Sequence, residues 1–213
     1  PIINQPEIGF LGFIVQRKQN VLHFLLQAKI EPGNLNVIQL SPTLQATRSN
    51  YTRVHKGRSP LYLEYFTGEK KVEILVDQLQ SEQGARFYQK RNRNIIVEVD
   101  ENEELPVYEN FVWASLGQIK ELLTYPNVVN MDTRTVISCI QYGNYSEKDL
   151  QLLSVFRLDT NLGHSDSFLY SVLSSDNHYN TMNSIIRWLT SLKFKYELNV
   201  DKIGLSEMNN WIY

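Results

Sequence analysis

The sequence of 213 residues contains one cysteine, Cys139, and no long apolar run. A single cysteine excludes an internal disulfide and a zinc site built from several thiolates. No apolar run approaches the roughly 20 residues needed to cross a bilayer, and no signal-peptide pattern opens the chain. We therefore expect a cytoplasmic protein that does not contact a membrane.

An excess of charge of one sign is also absent, since the formal net charge is -2. A nucleic-acid-binding protein that relies on bulk basicity carries a strong positive excess, so we expect no nucleic-acid partner. Any anion site must be local. The composition, 42% hydrophobic and 21% charged, is that of an ordinary globular protein with room for one large domain, or one domain with an appendage.

Several common catalytic motifs are missing from the sequence. It has no G-x-S-x-G nucleophile elbow, no G-x-x-x-x-G-K-[ST] phosphate loop, no G-x-G-x-x-G after a strand and no H-E-x-x-H pair. Its four histidines are scattered without the spacing of metal ligands. We therefore predict neither a metal nor another cofactor.

Apolar periodicity predicts strands in the first half of the chain and helices in the second. An antiparallel hairpin is expected over 7–15 and 21–30, and further strands at 37–40, 44–47, 61–66, 72–79, 95–99 and 196–205. Helices are expected at 81–92, at 115–123 behind a capping box of Ser115 and Gln118, at 133–140 with Asp132 as cap, and at 183–192. This order indicates an α+β fold, a mixed α/β sandwich, rather than a doubly wound parallel sheet.

Two segments carry more hydrogen-bond donors than a core element needs. In 39–58, QLSPTLQATRSNYTRVHKGR, four cations accompany an aromatic, an imidazole and many small polar side chains. In 80–94, cations alternate with aromatic rings. Guanidinium groups bind phosphate oxygens in pairs and aromatic rings stack on bases, a combination typical of a nucleotide diphosphate site. A solvated surface with ordinary charge explains the second segment equally well.

Six ordered blocks of the sequence also point to a known family. They are QAKIEPGN (27–34), QLSPTLQATRSNYTRVH (39–55), YLEYF (62–66), LQSEQGARFYQKRNRN (79–94), WASLGQIKELL (113–123) and NMDTRTVISC (130–139). Together they resemble the NDP-hexose 2,3-dehydratases of deoxysugar biosynthesis, over almost the whole chain to about Cys139 and more weakly from there to Thr181. The resemblance implies a Nudix-like fold, a mixed sheet flanked by helices, in chains that usually carry two repeats and form dimers. The metal-binding Nudix box R-E-x-x-E-E is missing, which opposes a metal-dependent pyrophosphatase.

This chain has the length of one repeat. Its tail at 195–211, KYELNVDKIGLSEMNNW, resembles the strand and loop that open a repeat, and its start at Pro1 indicates a fragment or a trimmed sequence. We expect a Nudix-like nucleotide-sugar-binding core at 1–145. A C-terminal helical segment is expected at 146–195, and the start of a following repeat at 196–213.

The resemblance implies a lyase reaction on a dTDP-linked 4-keto-6-deoxyhexose. Water is lost across C2 and C3, and the product is a 2,6-dideoxy-3,4-diketo sugar. The C4 ketone acidifies the C3 hydrogen, so a base removes it to leave an enolate, and an acid assists departure of the C2 hydroxyl. No redox cofactor is needed. The implied partners are the nucleotide-diphosphate sugar, a second copy of the chain and a downstream 3-ketoreductase.

The residue types suited to this reaction divide into proton-transfer and substrate-binding groups. His55 is the first candidate for base or acid because imidazole titrates near neutral pH, and the Tyr51 hydroxyl is a donor for the enolate or the leaving group. The remaining candidates are Glu64 and Tyr65 as alternative acids or bases, Arg48, Arg53 and Arg58 for the diphosphate, Thr47 and Asn50 for sugar hydroxyls, and Lys29, Arg86 and Arg91 as further substrate-binding residues. We expect His23, Trp113 and Trp188 to pack rather than react. Which group is base and which is acid stays open, as does a second function, a nucleotide-sugar-binding half without chemistry of its own.

Overall fold

The computed structural model describes residues 2–51, 59–142, 164–173, 179–201 and 204. Within these ranges, seven strands form one mixed sheet. The strands are β1 (Gly9–Lys18), β2 (Val21–Ile30), β3 (Ile38–Ser41), β4 (Leu44–Ala46), β5 (Glu73–Ser81), β6 (Arg91–Val99) and β7 (Phe111–Ser115). The helices are α1 (Arg48–Tyr51), α2 (Leu116–Leu122), α3 (Met131–Ser138), α4 (Ser165–Leu173) and α5 (Met182–Lys195), and a 3-10 turn spans Leu63–Tyr65. Among the helices described, none has the length and apolar character of a membrane span.

The sheet is organised around β1 and β2, an antiparallel hairpin whose strands separate away from their turn. β1 pairs with β2 near the turn and with β4 further on, whereas its other edge pairs with β6 in parallel. β2 pairs with β3 beyond the separation and with β7 on its outer edge. β5 completes the sheet by antiparallel pairing with β6. The short β3–β4 connection therefore lies between the two separated strands.

Thr43 occupies the point where β1 and β2 separate. Its Oγ1 accepts a hydrogen bond from the backbone N–H of Ile14 at 2.9 Å and donates one to the carbonyl of Leu25. Ile14 and Leu25 are fully buried, so neither backbone group reaches water. One hydroxyl thus satisfies a donor and an acceptor that strand pairing leaves without partners.

Successive side chains of each strand point to opposite faces of the sheet, and each face has its own apolar core. On one face, Leu11 and Phe13 pack with apolar side chains of the helices α2 to α5. On the other, Ile14 packs with the aromatic side chains around the 3-10 turn, including Phe66. The ring of Phe66 approaches β1 so closely that a Cβ built on Gly12 would lie 2.3 Å from it. We call these the helix face and the aromatic face.

The α+β architecture, a mixed sheet flanked by helices, is confirmed. The predicted hairpin, the strands near 37–47, 72–79 and 95–99, and the helix at 183–192 are present, with ends shifted by a few residues. The capping box is present as well, since the Ser115 hydroxyl accepts from the Gln118 N–H and the Gln118 side chain accepts from the Ser115 N–H. Strand β7 and helix α4 were not predicted.

The predicted helix at 81–92 is wrong. Ser81 pairs with Arg91, so β5 and β6 form one antiparallel hairpin, and residues 82–90 form its turns. The helical spacing of Ala85, Phe87 and Tyr88 is a local signal. Helical propensity over so few residues contributes less to stability than the hydrogen bonds and side-chain packing that β5 and β6 gain by pairing along their length.

Three smaller predictions are also wrong. Residues 61–66 form a 3-10 turn instead of a strand, because Tyr62 has φ 62° and the chain turns there so that its aromatic rings meet the sheet. Asn130, not Asp132, caps α3, since its Oδ1 accepts from the Thr133 N–H at 2.8 Å. Residues 196–201 follow α5 as irregular chain without strand pairing, whereas most of the predicted strand beyond them lies outside the described residues.

Candidate functional site

A cavity of about 190 Å³ lies on the helix face, between the N-terminal turn of α3 and the end of the β5–β6 hairpin that carries Ser81 and Glu82. We call it the α3 cavity. Its polar lining includes Ser81, Glu82, Asn92, Asn94, Asp132 and Thr135. None of the lysines and arginines in the described ranges lines it.

The sequence of β6 explains why a polar cavity forms at this point. Ile96 belongs to the core of the helix face, and the residues that precede it on the same face of the strand are Asn94 and Asn92. Side chains of a strand alternate between the two faces of the sheet. Because the positions on the helix face change from isoleucine to asparagine towards the start of β6, the apolar core ends there and a polar surface begins. Asn92 donates from Nδ2 to the Glu82 carboxylate at 2.6 Å, which holds both side chains at the cavity wall.

Asn94 forms the floor of the α3 cavity and is fully buried. Its Nδ2 donates to the carbonyls of Gln78 at 3.5 Å and Asn92 at 3.2 Å, which fixes the orientation of the amide. Its Oδ1 has no hydrogen-bond partner among the described residues. A buried acceptor without a partner is uncommon in native proteins and costs roughly 1–3 kcal/mol. The floor of the α3 cavity therefore contains one acceptor that the described residues leave unsatisfied.

Asp132 lies in the first turn of α3 and is mostly removed from solvent. Because Asn130 supplies the cap, the Asp132 carboxylate is available to the cavity instead of the helix end. Burial, followed by the negative charges of Glu31 and Glu82, raises its pKa to about 6, against an opposing effect of Lys29. A carboxylate that ionises near neutral pH is suited to general acid–base catalysis.

A chain of side-chain contacts fixes the N-terminus of α3 relative to the sheet. Lys29 lies 3.6 Å from the Glu31 carboxylate, and Gln45 donates to the same carboxylate at 2.9 Å. Asn130 in turn donates from Nδ2 to Gln45 Oε1 at 3.1 Å. Lys29, predicted as a substrate-binding residue, is held in this ion pair and lines a different cavity, together with Glu109, Asn110 and Tyr196.

The segment predicted to bind the diphosphate begins beside the α3 cavity. A Cβ built on Gly9 would lie 3.1 Å from Asn92 Oδ1 and 3.7 Å from the Cα of Thr47. The Thr47 hydroxyl lies 3.0 Å from that of Ser49. Arg48 and Asn50 follow in α1 with exposed side chains. The pairing of β4 with β1 thus brings Thr47 near Asn92, and Arg48 and Asn50 follow Thr47 directly in the chain.

The other predicted residues of this segment lie at or beyond the end of the range described there. Tyr51 is the last residue of α1, and only its backbone is described. Arg53, His55 and Arg58 lie outside the described residues. Their predicted roles stay predictions.

Two alternative acid–base candidates lie on the other side of the sheet. The Tyr65 hydroxyl donates to the Glu103 carboxylate at 2.7 Å, and its ring belongs to the core of the aromatic face. Burial and the hydrogen bond to Glu103 raise the pKa of Tyr65. Glu64 precedes it in the same 3-10 turn. The structure does not bring Glu64 or Tyr65 together with the α3 cavity.

The β5–β6 hairpin turn forms a second cavity of about 420 Å³. Its lining includes Phe87, Lys90 and Arg91, and it shares Ser81 and Glu82 with the α3 cavity. We call it the hairpin cavity. Lys90 is buried and donates to the Glu7 carbonyl at 3.1 Å, whereas Arg91 is exposed. This part of the predicted basic patch therefore adjoins the carboxylate-lined cavity.

Other residues of the basic patch have different surroundings. Arg93 forms two hydrogen bonds to the Asp77 carboxylate, at 2.7 and 2.5 Å, and lies over the ring of Phe10. Arg86 is exposed on the hairpin turn, where its carbonyl accepts from the Ile3 N–H. Arg93 is thus engaged in the fold, and Arg86 lies at the rim of the hairpin.

The expected packing roles of three further residues are confirmed. His23 is fully buried, with Nδ1 3.0 Å from the Val21 carbonyl and Nε2 accepting from the Tyr179 N–H. Trp113 is buried in the core of the aromatic face. Trp188 packs against the core of the helix face and donates to the Glu109 carbonyl.

Sequence reasoning missed Asp132, Asn94 and Glu82 as site residues. Asp132 was interpreted as a cap, although Asn130 precedes Thr133 at the spacing of a cap and leaves Asp132 without that role. Asn94 stands directly before an apolar strand core, where an amide has no obvious structural purpose. Glu82 was assigned to the first turn of a helix that does not form.

The protein thus has a mixed sheet flanked by helices, with a small polar cavity that contains Glu82 and Asp132 beside a second cavity that contains Lys90 and Arg91. The family model described as NDP-hexose 2,3-dehydratase matches residues 1–140, and the chain belongs to this family. Within the described residues, no group of three or more His, Cys, Asp or Glu is placed to hold a metal ion.

Three curated relatives carry the same name, dTDP-4-dehydro-6-deoxy-alpha-D-glucopyranose 2,3-dehydratase. The protein from Saccharopolyspora spinosa is 46% identical over 99% of this chain and 42% of its own length. That from Amycolatopsis orientalis is 48% identical over 73% of this chain and 34% of its own length. That from Streptomyces violaceoruber is 51% identical over 65% and 31%, respectively. The chain thus spans less than half the length of each of these relatives.

Two solved structures resemble this chain more distantly. Ap4A hydrolase from C. elegans has a TM-score of 0.38 and 11% identity, over 72% of this chain and 99% of that one. A chain of the complex between the C-terminal domain of mouse MUTYH and human PCNA has a TM-score of 0.36 and 9% identity, over 71% and 98%.

Proposed function

We propose that this chain is a lyase unit that removes water across C2 and C3 of a dTDP-linked 4-keto-6-deoxyhexose. The product is a 2,6-dideoxy-3,4-diketo sugar. The observation that supports this function best is a mostly buried carboxylate, Asp132, in a small polar cavity beside a cationic one. Family membership and the names of the three relatives support the same reaction.

The proposed binding residues lie in the segment that begins beside the α3 cavity. Arg48, Arg53 and Arg58 bind the diphosphate, because guanidinium groups match phosphate oxygens in pairs. Thr47 and Asn50 bind sugar hydroxyls. Lys29, Arg86 and Arg91 are further substrate-binding candidates, of which Arg91 lines the hairpin cavity.

The proposed proton-transfer residues of the same segment are His55 and Tyr51. An imidazole such as that of His55 is suited to proton transfer near neutral pH, and the phenolic hydroxyl of Tyr51 donates to the enolate oxygen or to the leaving hydroxyl. Glu64 and Tyr65 rank below them, because they lie on the aromatic face, away from the α3 cavity.

A second function is a nucleotide-sugar-binding half without chemistry of its own. It is favoured by one observation, that the chain spans 42% of the length of its relative from Saccharopolyspora spinosa. In that case the chain binds the nucleotide sugar, and turnover requires the remainder of a longer protein.

The two functions are distinguished by assaying the 213-residue chain and a two-repeat protein with the 4-keto-6-deoxy nucleotide sugar, trapping the unstable diketone. We expect both proteins to form the diketone. Product from the longer protein alone would support the binding half. In addition, Arg48→Ala should weaken nucleotide-sugar binding strongly, whereas His55→Ala should bind normally without turnover. Unchanged turnover of the His55 variant would exclude its catalytic role.

The proposal extends to partners and organisation. We propose a homodimer, a 3-ketoreductase that consumes the unstable diketone, and a cytoplasmic location. We also propose the division of the chain into a binding core at 1–145, a helical segment at 146–195 and the opening of a further repeat at 196–213.

A further inference from the structure

The size of the α3 cavity limits its ligand to part of the proposed substrate. Its volume of about 190 Å³ lies below the roughly 300–1,000 Å³ of pockets that enclose drug-sized ligands. A nucleotide-linked sugar needs more room than this, whereas a single sugar ring has few heavy atoms. The cavity therefore suits one ring of the substrate, with the remainder of the molecule outside it.

The chemistry of the lining selects which part of the substrate enters. Glu82 and Asp132 contribute carboxylates, and no cation of the described chain lines the cavity. A diphosphate would be repelled by these carboxylates at short range. Amide, hydroxyl and carboxylate groups together instead match the donors and acceptors of an uncharged polyol.

The floor of the cavity provides an independent indication of a ligand. Asn94 is fully buried, its Nδ2 is committed to two backbone carbonyls, and its Oδ1 has no partner among the residues that the structure describes. A sugar hydroxyl that donates to this oxygen would remove the cost of the unpaired acceptor. The requirement is for a donor, which a hydroxyl meets and a phosphate oxygen does not.

The neighbouring hairpin cavity supplies the complementary environment. It shares Ser81 and Glu82 with the α3 cavity and adds Phe87 and Arg91. A guanidinium and an aromatic ring suit a phosphate and a base. Lys90 and Arg91 offset the shared Glu82 in the hairpin cavity, whereas no cation among the described residues offsets it in the α3 cavity, so a substrate with its sugar in the α3 cavity would direct its charged portion towards the hairpin cavity.

We infer that the α3 cavity binds the keto-sugar ring of the substrate and that the Asp132 carboxylate takes the proton from C3. This inference rests on the proposed function and adds the position of the sugar and a base that the sequence did not reveal. The acid at the C2 oxygen lies outside this inference. Glu31, Glu82 and Lys29 are the charged groups that act on Asp132.

The proposed step is balanced without a further reactant. The C3–H bond breaks, its proton passes to an Asp132 oxygen, and its electron pair forms the C3–C4 double bond of the enolate. Collapse of the enolate restores the C4 carbonyl, forms the C2–C3 double bond and breaks the C2–O bond. The departing hydroxyl takes a proton from the acid and leaves as water. The C2–C3 enol then becomes the 3,4-diketone by moving a proton from the C3 oxygen to C2.

Two variants of this chain separate the position of the sugar from the proton transfer. Thr135→Phe fills the cavity without changing its charge, and Thr124→Phe is its control at an exposed position just after α2. Asp132→Asn removes the base, and Asp166→Asn is its control, since Asp166 is exposed in the first turn of α4. The measurements are the affinities for dTDP and for the dTDP-linked keto sugar, and the exchange of the C3 hydrogen in D₂O by NMR.

We expect the wild-type chain to bind the keto sugar more tightly than dTDP and to exchange the C3 hydrogen. Thr135→Phe should abolish this preference, a loss of at least about tenfold in affinity for the keto sugar, with dTDP binding unchanged. Asp132→Asn should retain binding and lower the exchange rate by about 100-fold or more. Both controls should behave as the wild type.

Two results would overturn the inference while leaving the proposed function intact. They are a preference for the keto sugar that survives Thr135→Phe, and exchange at the wild-type rate in Asp132→Asn, each with diketone still formed by the wild type. A wild-type chain that binds the keto sugar but neither exchanges C3 nor forms the diketone would overturn the role of Asp132 and the lyase proposal together.

Discussion

Asp132→Asn should stabilise the protein at neutral pH even though it removes the proposed base. Burial and the neighbouring carboxylates raise the pKa of Asp132 from 3.8 to about 6. One pKa unit corresponds to about 1.4 kcal/mol, so ionising this group in the folded state costs about 3 kcal/mol at neutral pH. Asparagine has a similar shape and does not ionise, so it avoids this cost.

The sign of the effect sets its pH dependence. A carboxyl whose folded pKa is raised favours folding while it is protonated, and that contribution is lost as pH rises from 3.8 through about 6. The advantage of the Asp132→Asn variant should therefore grow with pH. Linkage gives about 1 kcal/mol at pH 4.5 and about 3 kcal/mol at pH 7.5.

Urea unfolding of both proteins at these two pH values measures the effect directly. Asp166→Asn is the matched control, because Asp166 occupies the first turn of α4 but is exposed, and its substitution should change stability little at either pH. An Asp132→Asn variant whose stability relative to the wild type is the same at both pH values would refute the reasoning. The Asp132 carboxyl of the wild type would then ionise as easily in the folded as in the unfolded protein.

Two further predictions concern the sheet. Thr43→Val should lower the free energy of unfolding by about 2–5 kcal/mol, because the buried Ile14 N–H and Leu25 carbonyl both lose their partner. Gly12→Ala should lower it by about 1–3 kcal/mol, because the new Cβ would lie 2.3 Å from the ring of Phe66 and the ring must move. Urea unfolding at neutral pH measures both changes.

Each sheet prediction has a control in this chain. Thr43→Ser keeps the hydroxyl and should lose much less stability than Thr43→Val; equal losses would show that the hydroxyl bridge contributes little. Gly33→Ala should cost little, since nothing lies within 4 Å of the Cβ position there. Equal effects of the two glycine substitutions would contradict the close approach of Phe66 to β1.

A base that destabilises its own fold is consistent with a functional role for Asp132. Residues selected only for stability are rarely placed where burial and two like charges oppose their ionisation. Replacements that raise stability and lower activity are a recurring property of active sites. The combination of higher stability and lost C3 exchange in one variant would therefore separate a catalytic carboxylate from a purely structural one.

The sequence predicted best what depends on neighbouring residues. The capping box of Ser115 and Gln118 lies within one helical turn, so its residue types alone specify the start of α2. The hairpin of β1 and β2 likewise depends on apolar runs joined by a short polar connection. Local patterns of this kind do not require knowledge of the remaining chain.

The features that were missed depend on contacts distant in sequence. Residues 81–92 have helical spacing, but the pairing of Ser81 with Arg91 belongs to a ladder that continues to Glu73 and Glu98. The α3 cavity needs β1, β5, β6 and α3 together, so no single segment reveals it. The raised pKa of Asp132 comes first from its burial and then from the charges of Glu31 and Glu82, which are distant along the chain.

The pH dependence of C3 hydrogen exchange tests the central claim most directly. The exchange is followed by NMR in D₂O with the 213-residue chain and the dTDP-linked keto sugar. With Asp132 as the base, the rate at low substrate concentration should rise through an apparent pKa near 6 and level off above it. The rise should disappear in Asp132→Asn and persist in Asp166→Asn. An Asp132→Asn variant that exchanges C3 with the wild-type rate and pH profile would contradict the account.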